Sequence, residues 1–243
     1  MTQQRHSRNG DLWEDLKYHY QYADQANEQG LLRNRLYHVN DFVGQVDPNG
    51  SDLDDQGAFQ MNPNVIETAN NYVYDEEGRL IQDKTEEIER IVWTVSGKVK
   101  AIIRDADSDK KNLSFDYDAM GNRIAKHVYD ADWMLEKSTY YILDAQGNQL
   151  SMYEHNVDTT TADYTLTERN IYGSSRLGRN STVVDVYQTP PSNSIPYIAG
   201  KRYYELSNHL GNVLAVINDI KYPVEDNGYV DYFEAHLVSI SDY

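Results

Sequence analysis

The chain has 243 residues, no cysteine, and a formal net charge of -17 from 39 acidic and 22 basic residues. Zinc–thiolate centres, redox pairs and thiol nucleophiles are thereby excluded. So acidic a chain, with no basic run longer than a pair such as Lys110-Lys111, repels nucleic acid and anionic membrane. Tyrosine dominates the aromatics, 21 against 4 Phe and 3 Trp. That bias suits thin β walls, whose rings pack on a pleated face while their hydroxyls reach water. No apolar run is long enough to span a bilayer, and residues 1–8 contain no apolar segment of a secretion signal.

Residues 1–15 remain unassigned. Leu12, Leu16 and His19 have helical spacing, but Leu16, Tyr18, Tyr20 and Tyr22 alternate with polar residues, which favours a strand over 16–22. Residues 35–39 read as its hairpin partner, with 24–30 as the loop between them. An acidic stretch rich in Gly, Asn, Pro and Asp, 44–71, is predicted as a long loop. Strands then follow steadily, broken at 157–163, at 188–196 with its three prolines, and at 221–228, which is predicted as a last loop.

An internal repeat organises the rest. Tyr72-Val73-Tyr74-Asp75-Glu76-Glu77-Gly78 is followed by Arg79-Leu80; Phe115-Asp116-Tyr117-Asp118 leads to Gly121 and Asn122; Tyr141-Ile142-Leu143-Asp144 leads to Gly147 and Asn148. A fourth copy runs from Tyr204 through Asn208 to Gly211, with Ser207 read as replacing the Asp. A degenerate copy spans Val92 to Val99 around Gly97. The apolar or aromatic residues before each Asp are two apart, so they share a sheet face. The Asp carboxylate accepts a backbone N–H to start the turn, and Gly takes the positive-φ position that reverses the chain. An apolar residue two or three after Gly (Leu80, Ile124, Leu150, Val213) restarts the return strand. A hairpin alone is marginal; stacked edge to edge, hairpins satisfy one another's backbones. The expected fold is therefore all-β, stacked antiparallel hairpins forming a curved sheet.

Other candidate sites are sparse. The histidines lack metal-binding spacing, and His209 lies within the fourth turn. Asp105, Asp107 and Asp109 alternate like the ligands of a calcium loop, but Lys110 and Asp116 stand where such a loop needs Gly and Glu; a solvated turn is the simpler reading. A second oxygen-rich loop holds Asp47, Asn49, Ser51, Asp52, Asp54 and Asp55. No nucleophile elbow, phosphate-binding glycine loop or zinc helix motif is present, and no cofactor is expected.

The segment Tyr-x-Tyr-Asp-x-x-Gly-Arg-Leu at 72–80 resembles the YD repeat of the Rhs family of bacterial polymorphic toxins. Residues 204–219 are similar to the Rhs-associated core segment, and Ser239-Ile240-Ser241-Asp242-Tyr243 resembles the stretch before that core's Tyr-Pro-Phe-Gly. The resemblance covers residues 16–243, with repeats to 200 and the start of the core from 201. It implies a segment of a spiralling β shell that encloses a C-terminal toxin, is secreted or displayed at the cell surface, and has no catalysis of its own. Its partners would be the remaining shell repeats and the toxin domain. This chain departs from the family in stopping before the core's cleavage motif and before any toxin; its Asp47-Pro48 lies far from the cleavage position. It therefore reads as a truncated piece whose terminal strands leave edges open to self-association. Two rivals stand beside this reading: a surface adhesion or carbohydrate-binding module that stacks sugars on tyrosines, and a carboxylate-dependent hydrolase.

Overall fold

The structure, a computed structural model, describes residues 3–8, 11–24, 29–41, 71–157, 164–187 and 197–241. The second oxygen-rich loop, all of the 44–71 stretch except Asn71, and the breaks at 158–163 and 188–196 lie outside the described residues. Every regular element among the described residues is a β-strand, and every strand pair with a resolved register is antiparallel. The all-β hairpin architecture expected from sequence is thus the one observed. The chain divides into two compact units, Met1–Leu113 and Ser114–Tyr243.

The first unit begins with strands β1 (Gln3–Arg8), β2 (Asp11–Asp24) and β3 (Gln29–Asp41), which form a three-stranded sheet in that order. The alternation over 16–22 is a strand, as expected, and its register pairs Tyr18 with Val39 and Tyr20 with Leu36. Leu16, Tyr37 and Val39 are buried. Residues left unassigned from sequence carry β1 and the beginning of β2. β1, Gln-Gln-Arg-His-Ser-Arg, has no apolar residue to betray it and is held by backbone pairing with β2. Next come β4 (Tyr72–Tyr74), β5 (Leu80–Asp83), β6 (Ile88–Trp93) and β7 (Val99–Arg104), with β5, β6 and β7 each paired to the strand before it.

The three-stranded sheet meets this meander through β3 and β4. The rings of Tyr37 and Tyr74 pack edge to face at 5.8 Å, and the Tyr74 hydroxyl donates to the Leu36 carbonyl at 2.7 Å. Arg35 reaches further, donating to the carbonyl oxygens of Asp75 at 3.1 Å and Glu76 at 3.3 Å. One arginine therefore satisfies the exposed carbonyls of the first repeat turn.

β8 (Asn112–Tyr117) contains the boundary between the units. The second unit continues with β9 (Arg123–Tyr129), β10 (Leu135–Leu143), β11 (Gln149–Asn156), β12 (Tyr164–Tyr172), β13 (Arg176–Asn180), the short β14 (Val184–Asp185), β15 (Arg202–Ser207), β16 (Val213–Asp226) and β17 (Tyr229–Ile240). Neighbours in sequence are neighbours in the sheet, except that β14 pairs with β12 and β13 lies beside β15. Few apolar side chains of this unit are buried; Phe115, Ala125 and Leu166 are, together with polar Ser138, Thr139, Thr182 and Asn218. Strand-to-strand pairing, rather than a thick core, holds it. The tyrosine-rich composition anticipates such half-wetted walls.

One expectation is overturned here. Residues 221–226, predicted as loop, are the second half of β16, and the reversal is a two-residue turn at Asn227 and Gly228 with φ of 51° and 81°. Asn-Gly is the preferred pair for such a turn, because both positions need positive φ. Pro223 disguised the strand. It is tolerated because β15 pairs with β16 only as far as Asn218, so Pro223 has a strand partner on one side only.

The Tyr37–Tyr74 junction yields a graded expectation. Tyr74→Phe deprives the Leu36 carbonyl of its donor and should lower stability by about 1 kcal/mol. Tyr37→Ala removes a buried ring and should cost about 3–5 kcal/mol. Urea unfolding curves of the two variants would check both size and order.

Candidate functional site

The repeat turns share one geometry. In each, the N–H of the glycine returns to the carbonyl of the residue three before it: Gly78 to Asp75 at 3.1 Å, Gly97 to Thr94 at 3.0 Å, Gly121 to Asp118 at 3.0 Å, Gly147 to Asp144 at 3.1 Å and Gly211 to Asn208 at 3.0 Å. The N–H of that leading residue bonds the carbonyl just past the glycine, at 2.8–3.0 Å throughout. Each glycine has φ between 75° and 87°. This is a three-residue hairpin loop with a left-handed closing residue. The return strand then skips one residue at the same point in four copies, at Ile81, Lys100, Leu150 and Leu214.

The leading side chain locks the loop. Its oxygen accepts the N–H four residues on: Arg79 to Asp75 at 2.8 Å, Asn122 to Asp118 at 2.8 Å, Asn148 to Asp144 at 2.8 Å and Asn212 to Asn208 at 3.0 Å. In three copies it also accepts the N–H two residues on, from Met120, Gln146 and Leu210. In the degenerate copy the Thr94 hydroxyl takes the same role, accepting from Lys98 at 2.9 Å. Asn208, not Ser207, thus fills the Asp position of the fourth copy; Ser207 is the strand residue before it.

Sequence reasoning passed over the residue after each glycine. Asn122 and Asn148 return a side-chain amide to the second carboxylate oxygen of Asp118 and Asp144, at 3.0 and 2.8 Å. Arg79 does so with its guanidinium at 2.6 Å. The recurrent Gly-Asn and Gly-Arg pairs are the signal that marks them. Asn122 also bridges copies, since a Cβ on Gly147 would come within 2.9 Å of its Oδ1.

Two reversals at the opposite end of the meander, at Glu87 and at Trp133, were hidden because they lack glycine. Tyr129-Asp130 opens a turn of the same form: Trp133 N–H bonds the Asp130 carbonyl at 3.2 Å, and Met134 N–H bonds the Asp130 carboxylate at 2.8 Å. Trp133 itself takes the left-handed position with φ 60°, and its ring lies 5.4 Å from that of Tyr129. Glu87, φ 55°, does the same between β5 and β6.

Asp105 opens another such turn, with Ser108 N–H on its carbonyl at 3.0 Å. Ser108 bonds the Glu87 carboxylate through its hydroxyl, and Lys110 pairs with Glu86 at 3.0 Å. Among the described residues no group of three His, Asp or Glu side chains is placed to hold a metal ion. The segment holding Asp105, Asp107 and Asp109 is a turn tied to its neighbour. Of the aromatic repeat positions, Tyr72, Tyr117 and Tyr141 are half-buried wall residues.

The carboxylates of Asp75, Asp118 and Asp144 titrate low. The side-chain amide and backbone N–H of Asn122 hold Asp118 below the ordinary carboxylate value, and Asn148 does the same for Asp144. At Asp75 desolvation opposes the charge, but the hydrogen bonds and charge of Arg79 outweigh it.

A different feature lies toward the end of the second unit. Tyr197, Tyr204 and Phe233 line a groove of about 520 Å³ together with Arg202, Asp219 and Lys221. Tyr197 and Phe233 are 60% and 59% exposed, so their rings are available to a ligand. Asp219 accepts from Gly200 N–H at 2.7 Å and Arg202 N–H at 3.4 Å. Desolvation works against its charge, yet these bonds and the Tyr197 hydroxyl keep its carboxyl low.

Two measurements test the turns. Gly97 has open space around its Cα whereas Gly147 does not. Gly97→Ala should cost about 1–2 kcal/mol for the left-handed backbone alone. Gly147→Ala should cost about 1 kcal/mol more, because Asn122 must move off Asp118; denaturant titration separates the two.

Asp118 and Asp144 have depressed folded-state values. Their contribution is present above the ordinary carboxylate range and is lost as pH falls through and below that range. The double variant Asp118→Asn with Asp144→Asn keeps the acceptor, as Asn208 does, and should flatten the acid limb of a plot of Tm against pH.

No family model matches the chain, and no curated protein does either.

Proposed function

We propose that this chain is an architectural segment, a stretch of β wall from an Rhs-like shell that contains or presents a toxin domain, with no chemistry of its own. The observation carrying this reading is the repetition of one turn geometry at Gly78, Gly97, Gly121, Gly147 and Gly211. Identical hairpin loops keep strand register constant from copy to copy, which is what a wall requires and an isolated site does not. The titration of the turn carboxylates fits the same view. Asp75, Asp118 and Asp144 are driven low by turn hydrogen bonds, opposite to the direction that equips a carboxylic acid to donate a proton near neutrality.

A second reading has its own observation. The groove bearing the exposed rings of Tyr197 and Phe233 beside the Asp219 carboxylate offers stacking surface and polar anchors together, the combination that suits saccharide binding.

The coding region around this chain tests the first reading. Further Asp-x-x-Gly turns on the N-terminal side and a toxin-like domain on the C-terminal side are expected, and a locus with neither would remove it. A glycan array probed with the chain and with Phe233→Ala tests the second. Binding lost in the variant supports it, and a blank array removes it.

A further inference from the structure

The second unit handles its arginines unequally. Arg179 pairs with Glu168 at 2.9 Å and lies over the Tyr203 ring at 5.4 Å. Arg176 pairs with Glu205 at 2.9 Å. Among the described residues Arg169 has no such carboxylate. Its Nε and Nη2 are shielded from water and make no hydrogen bond. Leaving donors of a charged group buried and unmatched is costly, and such a group in a folded protein calls for a specific explanation.

Register brings a second guanidinium to the same place. Arg169 on β12 is directly opposite Asn180 on β13, and Asn180 is directly opposite Arg202 on β15. Directly opposed residues project from one face, so the row Arg169–Asn180–Arg202 carries two positive groups flanking an amide. The same face is hollowed next to this row. There the order is Ile171, Gly178, Tyr204, and Gly178 contributes no side chain. It cannot, since a Cβ there would lie 1.9 Å from the Tyr203 carbonyl oxygen. The outcome is a groove of about 390 Å³ lined by Arg169, Ile171, Asn180, Arg202 and Tyr204. Arg202 and Tyr204 are also the shared wall with the aromatic groove.

The electrostatics agree. Desolvation and then the charge of Arg202 weaken the hold of Arg169 on its proton. In a chain with 39 acidic side chains, these two neighbouring arginines have no carboxylate partner among the described residues, while Arg176 and Arg179 on the other face are paired. Arg202 is instead stacked on the Tyr197 ring at 5.0 Å, which orients the guanidinium without neutralising it.

We propose that the Arg169–Asn180–Arg202 row is a binding site for an exogenous oxyanion, a carboxylate or a phosphate, held between the two guanidinium groups. The Nε–Nη2 edge of Arg169 carries two parallel donors, the arrangement that grips either group in a fork once the side chain swings toward the groove. The Asn180 side chain keeps its own oxygen on Thr182 N–H at 2.9 Å, which leaves its amide nitrogen to serve as a third donor. Asp219, beyond Arg202, limits the site to an anion small enough to remain between the arginines. Neither the wall reading nor the saccharide reading requires this site, and it requires neither of them.

The test uses the whole chain and two probes, inorganic phosphate and galacturonate, followed by the arginine Nε–Hε resonances and by Tm. A saturable response of the Arg169 resonance and of Tm to at least one probe is expected, at least about tenfold weaker in Arg202→Gln by either readout and in Arg169→Gln by Tm, and unchanged in Arg179→Gln. A response to phosphate alone assigns the site to phosphate, whereas tighter binding of galacturonate assigns it to a carboxylate whose ring meets Tyr204. Should Arg169→Gln not fold, Arg202→Gln still decides. No saturable response to either probe, or equal responses in Arg202→Gln and the parent chain, overturns the proposal.

Discussion

The hydrogen bond from a backbone N–H to the side chain four residues earlier governs this molecule. It closes the loop at Asp75, Asp118, Asp144 and Asn208, and a threonine hydroxyl substitutes at Thr94. Because the bond spans a fixed number of residues, it sets loop length. Loop length sets strand register, and register decides on which face every tyrosine falls. With so few side chains fully buried, the unit has no deep core to correct a slipped strand. The turns take over the task that packing performs elsewhere.

The same logic explains why part of the fold could be read directly. Wherever the closing residue is glycine, the turn announces itself, and the alternating aromatics before it name the strand. The hairpin over 16–22 and 35–39 was legible from alternation alone. The reversals at Glu87 and Trp133 were not, since these residues occupy left-handed backbone with ordinary side chains, a choice that local preference disfavours and only the surrounding sheet enforces. β1 was invisible for a different reason: a strand made wholly of polar residues is specified by its partner's edge. Pro223 concealed half of β16, because an open edge tolerates what an interior strand forbids.

The candidate sites divide along the same line. The repeat turns are local, so residue spacing exposes them. The groove of Tyr197, Tyr204 and Phe233 joins strands β15, β16 and β17 with the segment before β15. The arginine row joins β12, β13 and β15. Neither has a spacing in the chain that could betray it. Both arise from register, and both flank Arg202 and Tyr204. The calcium-like alternation at 105–109 shows the converse, a pattern with suggestive spacing in a segment that Ser108 and Lys110 tie to the next turn.

The two ends of the meander should age differently. Along the glycine-closed end, an inserted residue would shift the return strand by one position and turn its rings outward, so lengths there are frozen. At the other end the reversals already vary, from the strained turn at Trp133 to the tight pair Asn227-Gly228. That margin is where new loops can be grafted, by evolution or by design, without disturbing the wall behind them.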